Sequence, residues 1–217
     1  MQGVFFDFDG VILDSVTVKT EAFAEMYARH GEEVCRAVVE YHMKHGGVSR
    51  HEKFRHFHEH ILGQPMTDEL MARLCTTFSK LTLAKVMAAP FIPGARETLN
   101  ALADRGVPAF VASGTPQAEL ETIVLSRLGS KAFAEIHGSP RTKVQIVREI
   151  IARHGFTPAR CVFVGDAMTD WLAASECAMP FVGVTGPSSC PFPDNTVVVH
   201  ALSIAALKSP SPVTEPA

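Results

Sequence analysis

After residue 94 the sequence alternates short apolar runs with helical patterns, and this alternation restricts the fold more than any other feature. The runs are "PAFVAS" (108–113), "FAEIH" (133–137), "CVFVGD" (161–166), "PFVGV" (180–184) and "TVVVH" (196–200). Apolar runs of this length, separated by helices, are typical of parallel strands that are buried on both faces. The sequence therefore predicts an α/β fold with a Rossmann-like, doubly wound parallel sheet.

One more apolar run begins at Val4, and the residues between it and the others show helical periodicity only. Three helices are expected there. The first has Phe23, Met26, Tyr27 and His30 on one face before Gly31, and the second has Phe54, Phe57, His58 and Ile61 on one face before Gly63. The third begins at the cap Thr67 and is expected to bury Leu70, Met71, Leu74, Phe78 and Leu81. We therefore divide the chain into an α/β core (1–15 and 89–208), an inserted all-helical domain (16–88) and a disordered tail (209–217).

The composition limits the partners that the chain can have. A net charge of −3 gives no general attraction to nucleic acid or to anionic membranes. No secretion leader precedes Val4, and no run of about 18 apolar residues is present, so we expect no membrane span. The five cysteines include no C-x-x-C pair, which argues against zinc and against a disulfide framework. We expect a cytoplasmic protein whose partners are small molecules, and the oligomeric state stays open.

Polar residues follow three of the predicted strands at the positions where the strands end. They are Asp7 and Asp9 after the first strand, Ser113, Gly114 and Thr115 at the end of the second, Asp166 and Asp170 after the fourth, and Lys143 at the start of the helix after the third. The carboxyl ends of parallel strands meet at one edge of a sheet, where ligands of open α/β folds bind. The sequence therefore predicts one site that contains all of these residues.

The stretch "DFDGVILD" places Asp7, Asp9 and Asp14 within eight residues. Like charges this close raise one another's pKa and cost stability unless a cation joins them. Each motif by itself has an ordinary explanation, such as an Asp-Gly turn or a capped helix. Because four such signals converge on one edge, a divalent cation is the better explanation, and only Asp14 is expected to cap the segment that follows.

Four motifs together resemble the haloacid dehalogenase superfamily, in particular its branch of phosphoglycolate phosphatases and β-phosphoglucomutases. They are "DFDGVILDS" at the first strand, "VASGT" at the second, "SPRTKVQIV" around Lys143, and the acidic "VGDAMTD". The segment "PGARETLNALADRGV" is similar to the helix that leads into the second motif. The resemblance covers nearly the whole chain, and its first and fourth motifs are highly specific in combination.

This resemblance implies how the aspartates act. Asp7 would be the nucleophile that forms an aspartyl-phosphate, and Asp9 would protonate the leaving oxygen and then activate water. The expected cofactor is Mg²⁺, held by the Asp7 carboxylate, the Asp9 backbone carbonyl and Asp166. The metal would let an anionic phosphate approach an anionic nucleophile.

The resemblance also implies the groups that bind the phosphoryl oxygens. Lys143 would add a positive charge beside them, while the Ser113 hydroxyl and the Gly114 N–H would donate hydrogen bonds. Thr115 completes this expected substrate-binding segment. Asp170 is expected to orient Lys143 or a metal-bound water.

The insertion resembles the helical cap that closes over the site in this branch. Its loop "KHGGVSRHEK" (44–53) is similar to the substrate-specificity loop of β-phosphoglucomutases, which makes Lys44 and Arg50 candidate substrate-binding residues. The insertion also holds seven of the ten histidines. No H-E-x-x-H spacing occurs among them, so we interpret most of them as exposed helix residues and not as metal ligands.

Two enzyme hypotheses follow from these patterns. The leading one is a phosphatase that acts on a sugar phosphate or a phosphorylated small acid. The alternative is a β-phosphoglucomutase-like phosphotransferase, suggested by the "GVSR" residues. Such mutases carry a histidine near the start of the first cap helix, however, where this chain has Lys19.

Two further hypotheses fit the residues less well. A phosphonate hydrolase would use Lys19 or Lys53 as a Schiff-base nucleophile, which requires a desolvated lysine, and both have polar neighbours in the sequence. A non-catalytic phosphoryl receiver module also combines aspartates, a hydroxyl and a lysine around Mg²⁺. Receivers lack both a second aspartate at the position of Asp9 and a long helical insertion.

Overall fold

A computed structural model describes residues 1–186 and 190–208. Six parallel strands in these residues form one sheet, in the order β3-β2-β1-β4-β5-β6. The strands are β1 (Gly3–Phe6), β2 (Ala109–Pro116), β3 (Glu135–Ser139), β4 (Cys161–Gly165), β5 (Phe181–Val184) and β6 (Val197–Val199). The prediction of a parallel α/β sheet is confirmed, and β3 begins two residues later than the "FAEIH" run.

Helices cover both faces of the sheet, as a doubly wound fold requires. They are α5 (Ala95–Ala103), α6 (Gln117–Leu128), α7 (Lys143–His154) and α8 (Met168–Glu176). Alternate residues of β1 serve the two faces: Val4 and Phe6 pack in one hydrophobic cluster, and Phe5 packs in the other. This two-sided burial explains why the strands are continuous apolar runs instead of alternating patterns.

The segment between β1 and α5 is helical. It contains α1 (Val16–Tyr27), α2 (Glu32–Lys44), α3 (Arg50–His56) and α4 (Asp68–Ala88), and a π-helical turn at Phe57–Ile61 continues α3. Phe23, Tyr27, Phe54, Phe57 and Phe78 form its own hydrophobic cluster. These elements fall within the proposed insertion, and the boundaries of the two domains stay a prediction.

The long helix α4 begins where the sequence indicated. The Thr67 hydroxyl caps it by accepting a hydrogen bond from the Leu70 N–H at 3.2 Å. Of the five apolar residues expected to be buried on it, only Phe78 is buried, while Leu70, Met71, Leu74 and Leu81 are half-buried. The other buried positions of α4 are Thr82 and Val86, so its burial is concentrated in its second half.

Within the described ranges, no helix is both long and apolar enough to span a bilayer. The predicted disordered tail (209–217) lies outside the described residues.

Candidate active site

A cavity of about 560 Å³ opens at the carboxyl edge of the sheet. The core lines it with residues at the carboxyl ends of β1, β2 and β4, and helices α1 to α4 line the opposite wall. Six residues of the predicted site contribute from the core: Asp7, Asp9, Ser113, Gly114, Thr115 and Asp166. The cavity is therefore enclosed by both parts of the chain.

Three carboxylates meet at the floor of this edge. Asp7, Asp166 and Asp170 each place one oxygen within 4.8 Å of the other two. Burial raises the pKa of Asp166 well above its usual value, and the charges of Asp7 and Asp170 add to this effect. Carboxylate oxygens are the ligands that Mg²⁺ and Ca²⁺ prefer, and a bound cation would compensate the crowded negative charge. The donor set therefore fits the predicted divalent cation.

Lys143 lies between two of these carboxylates. Its Nζ donates to Asp7 Oδ2 at 2.8 Å and to Asp170 Oδ1 at 2.5 Å. Burial alone would lower the pKa of Lys143, but the Asp170 and Asp7 charges raise it above its usual value. The lysine begins α7, where Thr142 and Gln145 form a capping box that fixes the first turn.

Asp9 is held by three donors on its own side of the cavity. Its carboxylate accepts hydrogen bonds from the Ser15 hydroxyl at 2.6 Å and the Thr115 hydroxyl at 2.9 Å, and it forms an ion pair with Lys19. Burial would raise the pKa of Asp9, but Lys19 and the hydrogen bonds lower it below its usual value. Lys19 thus contacts a predicted catalytic carboxylate, a contact that sequence reasoning did not anticipate.

The expectation for Asp14 is wrong. Ser15, not Asp14, occupies the position before α1, and no side chain caps that helix. The Asp14 side chain is exposed at the cavity rim. Ser15 turns its hydroxyl to Asp9 instead, which explains why the helix start lacks a cap.

The second motif lies under the loop between α2 and α3. A Cβ atom on Gly114 would come within 2.5 Å of the Gly47 carbonyl oxygen, so only glycine allows this approach. The Thr169 hydroxyl also donates to the Gly46 carbonyl at 2.8 Å. The loop therefore rests directly on the core beside the carboxylates, and Ser113 is buried beneath it.

A family model for haloacid dehalogenase-like hydrolases matches residues 1–177. The chain belongs to this family. Hexitol phosphatase A from Escherichia coli (strain K12) is 25% identical to this hydrolase over 216 residues, which cover 97% of this chain and 96% of the relative. The resemblance drawn from the four motifs is confirmed.

Solved structures of this hydrolase's fold include two with long overlaps. CbbY from Rhodobacter sphaeroides, in complex with phosphate, has a TM-score of 0.75 at 18% identity over 96% of this chain and 100% of that chain. β-Phosphoglucomutase from Clostridium difficile has a TM-score of 0.72 at 20% identity over 92% of this chain and 90% of that chain. The fold is thus shared along nearly the full length.

On the cap side of the hydrolase, Arg50 borders the cavity but is already paired. Its guanidinium donates to both oxygens of Glu119 in α6, at 2.6 and 3.0 Å, and to the Ser79 hydroxyl at 2.7 Å. Arg50 is buried, and its hydrogen bonds and charge lower the pKa of Glu119 against the opposing effect of burial. Lys44, the other predicted substrate-binding residue of this loop, lines the cavity with an exposed side chain.

The expectation of polar surroundings is wrong for Lys53. Only 3% of this residue is exposed, and its Nζ lies 5.9 Å from the centre of the Phe23 ring. Burial lowers the pKa of Lys53 to about 7, and the nearby Lys19 and Lys143 charges act in the same direction. No local pattern in the sequence indicates this burial, because the side chain is desolvated by helices that are distant in the chain.

The interpretation of the seven histidines is also wrong in part. Only His51 and His60 have exposed side chains, whereas His42 and His58 are buried. His42 contacts Lys53 and lines the cavity.

Proposed function

We propose that this hydrolase is a Mg²⁺-dependent phosphatase that cleaves a small phosphomonoester through an aspartyl-phosphate on Asp7. The observation that carries the proposal is the arrangement at Asp7. Its carboxylate is buried, Lys143 donates to one oxygen, and oxygens of Asp166 and Asp170 lie within 4.8 Å. A nucleophile, a fixed positive charge and a set of cation ligands are the parts that phosphoryl transfer needs.

In the first step an Asp7 oxygen would attack phosphorus, the bond from phosphorus to the leaving oxygen would break, and protonated Asp9 would give its proton to that oxygen. Asp7 Oδ1 accepts from the Phe8 N–H at 2.6 Å and Oδ2 accepts from Lys143, so the carboxylate is held in one orientation. In the second step water would attack the aspartyl-phosphate, Asp9 would take its proton, and Asp7 would leave as a carboxylate. Inorganic phosphate is the product, and the enzyme returns to its starting state.

Asp7, Asp166 and the Asp9 backbone carbonyl would hold the Mg²⁺. When bound, the ion would neutralise charge between the nucleophile and the phosphate. Lys143 would contact the phosphoryl oxygens from its position between Asp7 and Asp170, with Ser113 and Gly114 on the neighbouring strand end as further donors. The relative named hexitol phosphatase A supports a phosphorylated sugar as the substrate class, and a phosphorylated small acid remains the other expectation from the sequence.

The mutase alternative has less support. Such an enzyme would use the "GVSR" arginine for a second phosphate, but the charge of Arg50 is compensated by Glu119. Lys19 stands where those mutases carry a histidine, and it pairs with Asp9. The receiver hypothesis is set aside because the chain belongs to a hydrolase family.

One observation keeps the phosphonate hydrolase as a second candidate. Lys53 is buried in the cavity wall with its pKa lowered to about 7, which is the state that a Schiff-base lysine requires. Borohydride reduction during turnover of a phosphonate aldehyde tests it: covalent labelling that disappears in Lys53→Met would support this candidate over the phosphatase.

The proposed phosphatase is tested by release of p-nitrophenol from p-nitrophenyl phosphate. We expect turnover that requires Mg²⁺, stops with EDTA and falls by about 10⁴- to 10⁶-fold in Asp7→Asn, because the nucleophile is lost. The matched control is Asp104→Asn, an exposed aspartate at the end of α5, which should retain full activity. A stable phosphoprotein without turnover, or an Asp7→Asn variant as active as the control, would contradict the proposal.

A further inference from the structure

The cap wall of the cavity holds a buried lysine without a counter-charge. Lys53 lies on α3, and its Nζ is 2.7 Å from His42 Nδ1 and 3.5 Å from the His42 carbonyl oxygen, both on α2. Among residues 1–186 and 190–208, no carboxylate forms an ion pair with Lys53. A buried ammonium is expensive unless it is paired, so this position needs an explanation.

His42 adds a second donor that has no partner. An ammonium group has no lone pair, so when Lys53 is protonated His42 Nδ1 must be the acceptor and Nε2 must carry the ring hydrogen. His42 is itself only 6% exposed, and its Nε2 has no hydrogen-bond partner among the described residues. Burial and the Lys53 charge lower the pKa of His42 to about 3, so the ring stays neutral. The pair thus carries one positive charge and leaves the buried Nε2 of His42 without an acceptor.

The other side of this pair is apolar. The His42 ring lies 4.9 Å from the Phe23 ring between centroids, and Phe23 and Phe78 line the same cavity as Lys53 and His42. The charged groups around Lys53 are Lys19, Lys143, Asp9 and Asp166, and each of the first three has a hydrogen-bonded or ion-paired partner within the site. These contacts leave the charges of Lys53 and Asp166 uncompensated, and among the described residues no ion pair joins the two.

We propose that Lys53 and His42 form a distal subsite that binds a second oxyanion on the phosphorylated substrate. This rests on the proposed function, which puts the phosphoryl group at Asp7 across the cavity. A carboxylate or a second phosphate supplies the acceptors and the negative charge that this wall lacks. The substrate class is therefore a phosphomonoester that carries another anionic group, and a neutral polyol phosphate is a poorer substrate.

Matched substrates separate these classes. At C1, glucitol 6-phosphate has a neutral hydroxymethyl group and 6-phosphogluconate has a carboxylate. In glucitol 1,6-bisphosphate the C1 hydroxyl carries a second phosphate. Glycerol 3-phosphate and 3-phosphoglycerate repeat the neutral and carboxylate ends at a shorter length. The variants are Lys53→Met and, as the matched control, Lys80→Met, an exposed lysine on α4 of the same cap.

The measurement is kcat/KM with Mg²⁺ for each substrate. Charged hydrogen bonds to a desolvated anion predict that the wild type prefers an anionic end by about 10- to 100-fold at one or both lengths. Lys53→Met should abolish this preference by lowering kcat/KM for the anionic substrates, and Lys80→Met should keep it. The carboxylate and bisphosphate arms identify which oxyanion is recognised.

Two results would overturn the subsite: no preference for an anionic end at either length, or a Lys53→Met variant that loses activity equally on all substrates. Binding is measured separately by calorimetry with Asp7→Asn and with Asp7→Asn/Lys53→Met. If no phosphomonoester is hydrolysed but the anionic ligands still bind more tightly only when Lys53 is present, the proposed phosphatase fails and the subsite stands. Equal affinities in the two proteins overturn the subsite whatever the turnover.

Discussion

Two buried lysines lie on opposite sides of the site, Lys53 in the cavity wall formed by the helical insertion and Lys143 among the carboxylates of the core, and their electrostatic surroundings are opposite. Lys143 on the core wall is 7% exposed and touches two carboxylates, which raise its pKa. Lys53 on the cap wall is 3% exposed and touches a neutral histidine, and its pKa falls to about 7. Both side chains are almost fully buried, so their different partners account for the opposite pKa shifts.

This difference indicates that the two walls of the site have different electrostatic roles. On the core wall, Lys143 is compensated by Asp7 and Asp170, so its position is set before any ligand binds. On the cap wall, Lys53 gains a counter-charge only when an anionic ligand binds. Such a wall discriminates between ligands, because a group that fails to pair with it leaves a buried donor unsatisfied.

The largest expected effect comes from removing the core lysine. Lys143→Met leaves Asp7 and Asp170 as uncompensated buried charges, so we expect the free energy of unfolding without Mg²⁺ to fall by about 3–5 kcal/mol. We also expect kcat to fall by roughly 10²- to 10³-fold, because a fixed charge beside the phosphoryl oxygens is lost. Urea unfolding and steady-state kinetics measure the two effects. If Lys53→Met cost as much stability as Lys143→Met, the contrast between the walls would be wrong.

The next effect is the pH dependence of stability due to Lys53. Its pKa is lower in the folded state, about 7, than in the unfolded chain, about 10.4. Between these values the unfolded state binds more protons, so folding stability rises with pH, and below pH 7 the destabilisation is fully present. Relative to Lys53→Met, we expect the wild type to gain about 3 kcal/mol of stability from pH 7 to 9.5.

Denaturant unfolding of both proteins across this range measures the difference, in which the shared titrating groups cancel. A difference that is flat from pH 7 to 9.5 would mean that Lys53 keeps an ordinary pKa and that the cap wall is not electrostatically unbalanced.

The smallest effect concerns Arg50, a cation of the cap that has a carboxylate partner. Arg50 and Glu119 join the cap to α6, so Arg50→Met and Glu119→Gln should each destabilise the protein. The double variant should lose less than the sum, with a coupling energy of about 2 kcal/mol. A double-mutant cycle by urea unfolding measures it. Strict additivity would show that Arg50 and Glu119 do not stabilise each other.

The sequence was sufficient for the part of the site that depends on strand ends. Parallel strands leave their carboxyl ends at one edge, so the residues at the carboxyl ends of β1, β2 and β4 had to be neighbours once the strands were identified. Asp7, Ser113 and Asp166 were located in this way. The Thr67 cap and the capping box at Thr142 follow equally local rules, because a cap involves residues only three positions apart.

Only the tertiary structure decided how the cap's charges are paired. Arg50 meets Glu119 across 69 positions and Lys19 meets Thr115 across 96, and no periodicity in the sequence encodes such contacts. The polar sequence neighbours of Lys53 indicate a solvated side chain, yet helices from elsewhere in the insertion bury it. Local pattern determines which elements form and which face they bury, whereas the pKa and partner of a side chain depend on how those elements dock.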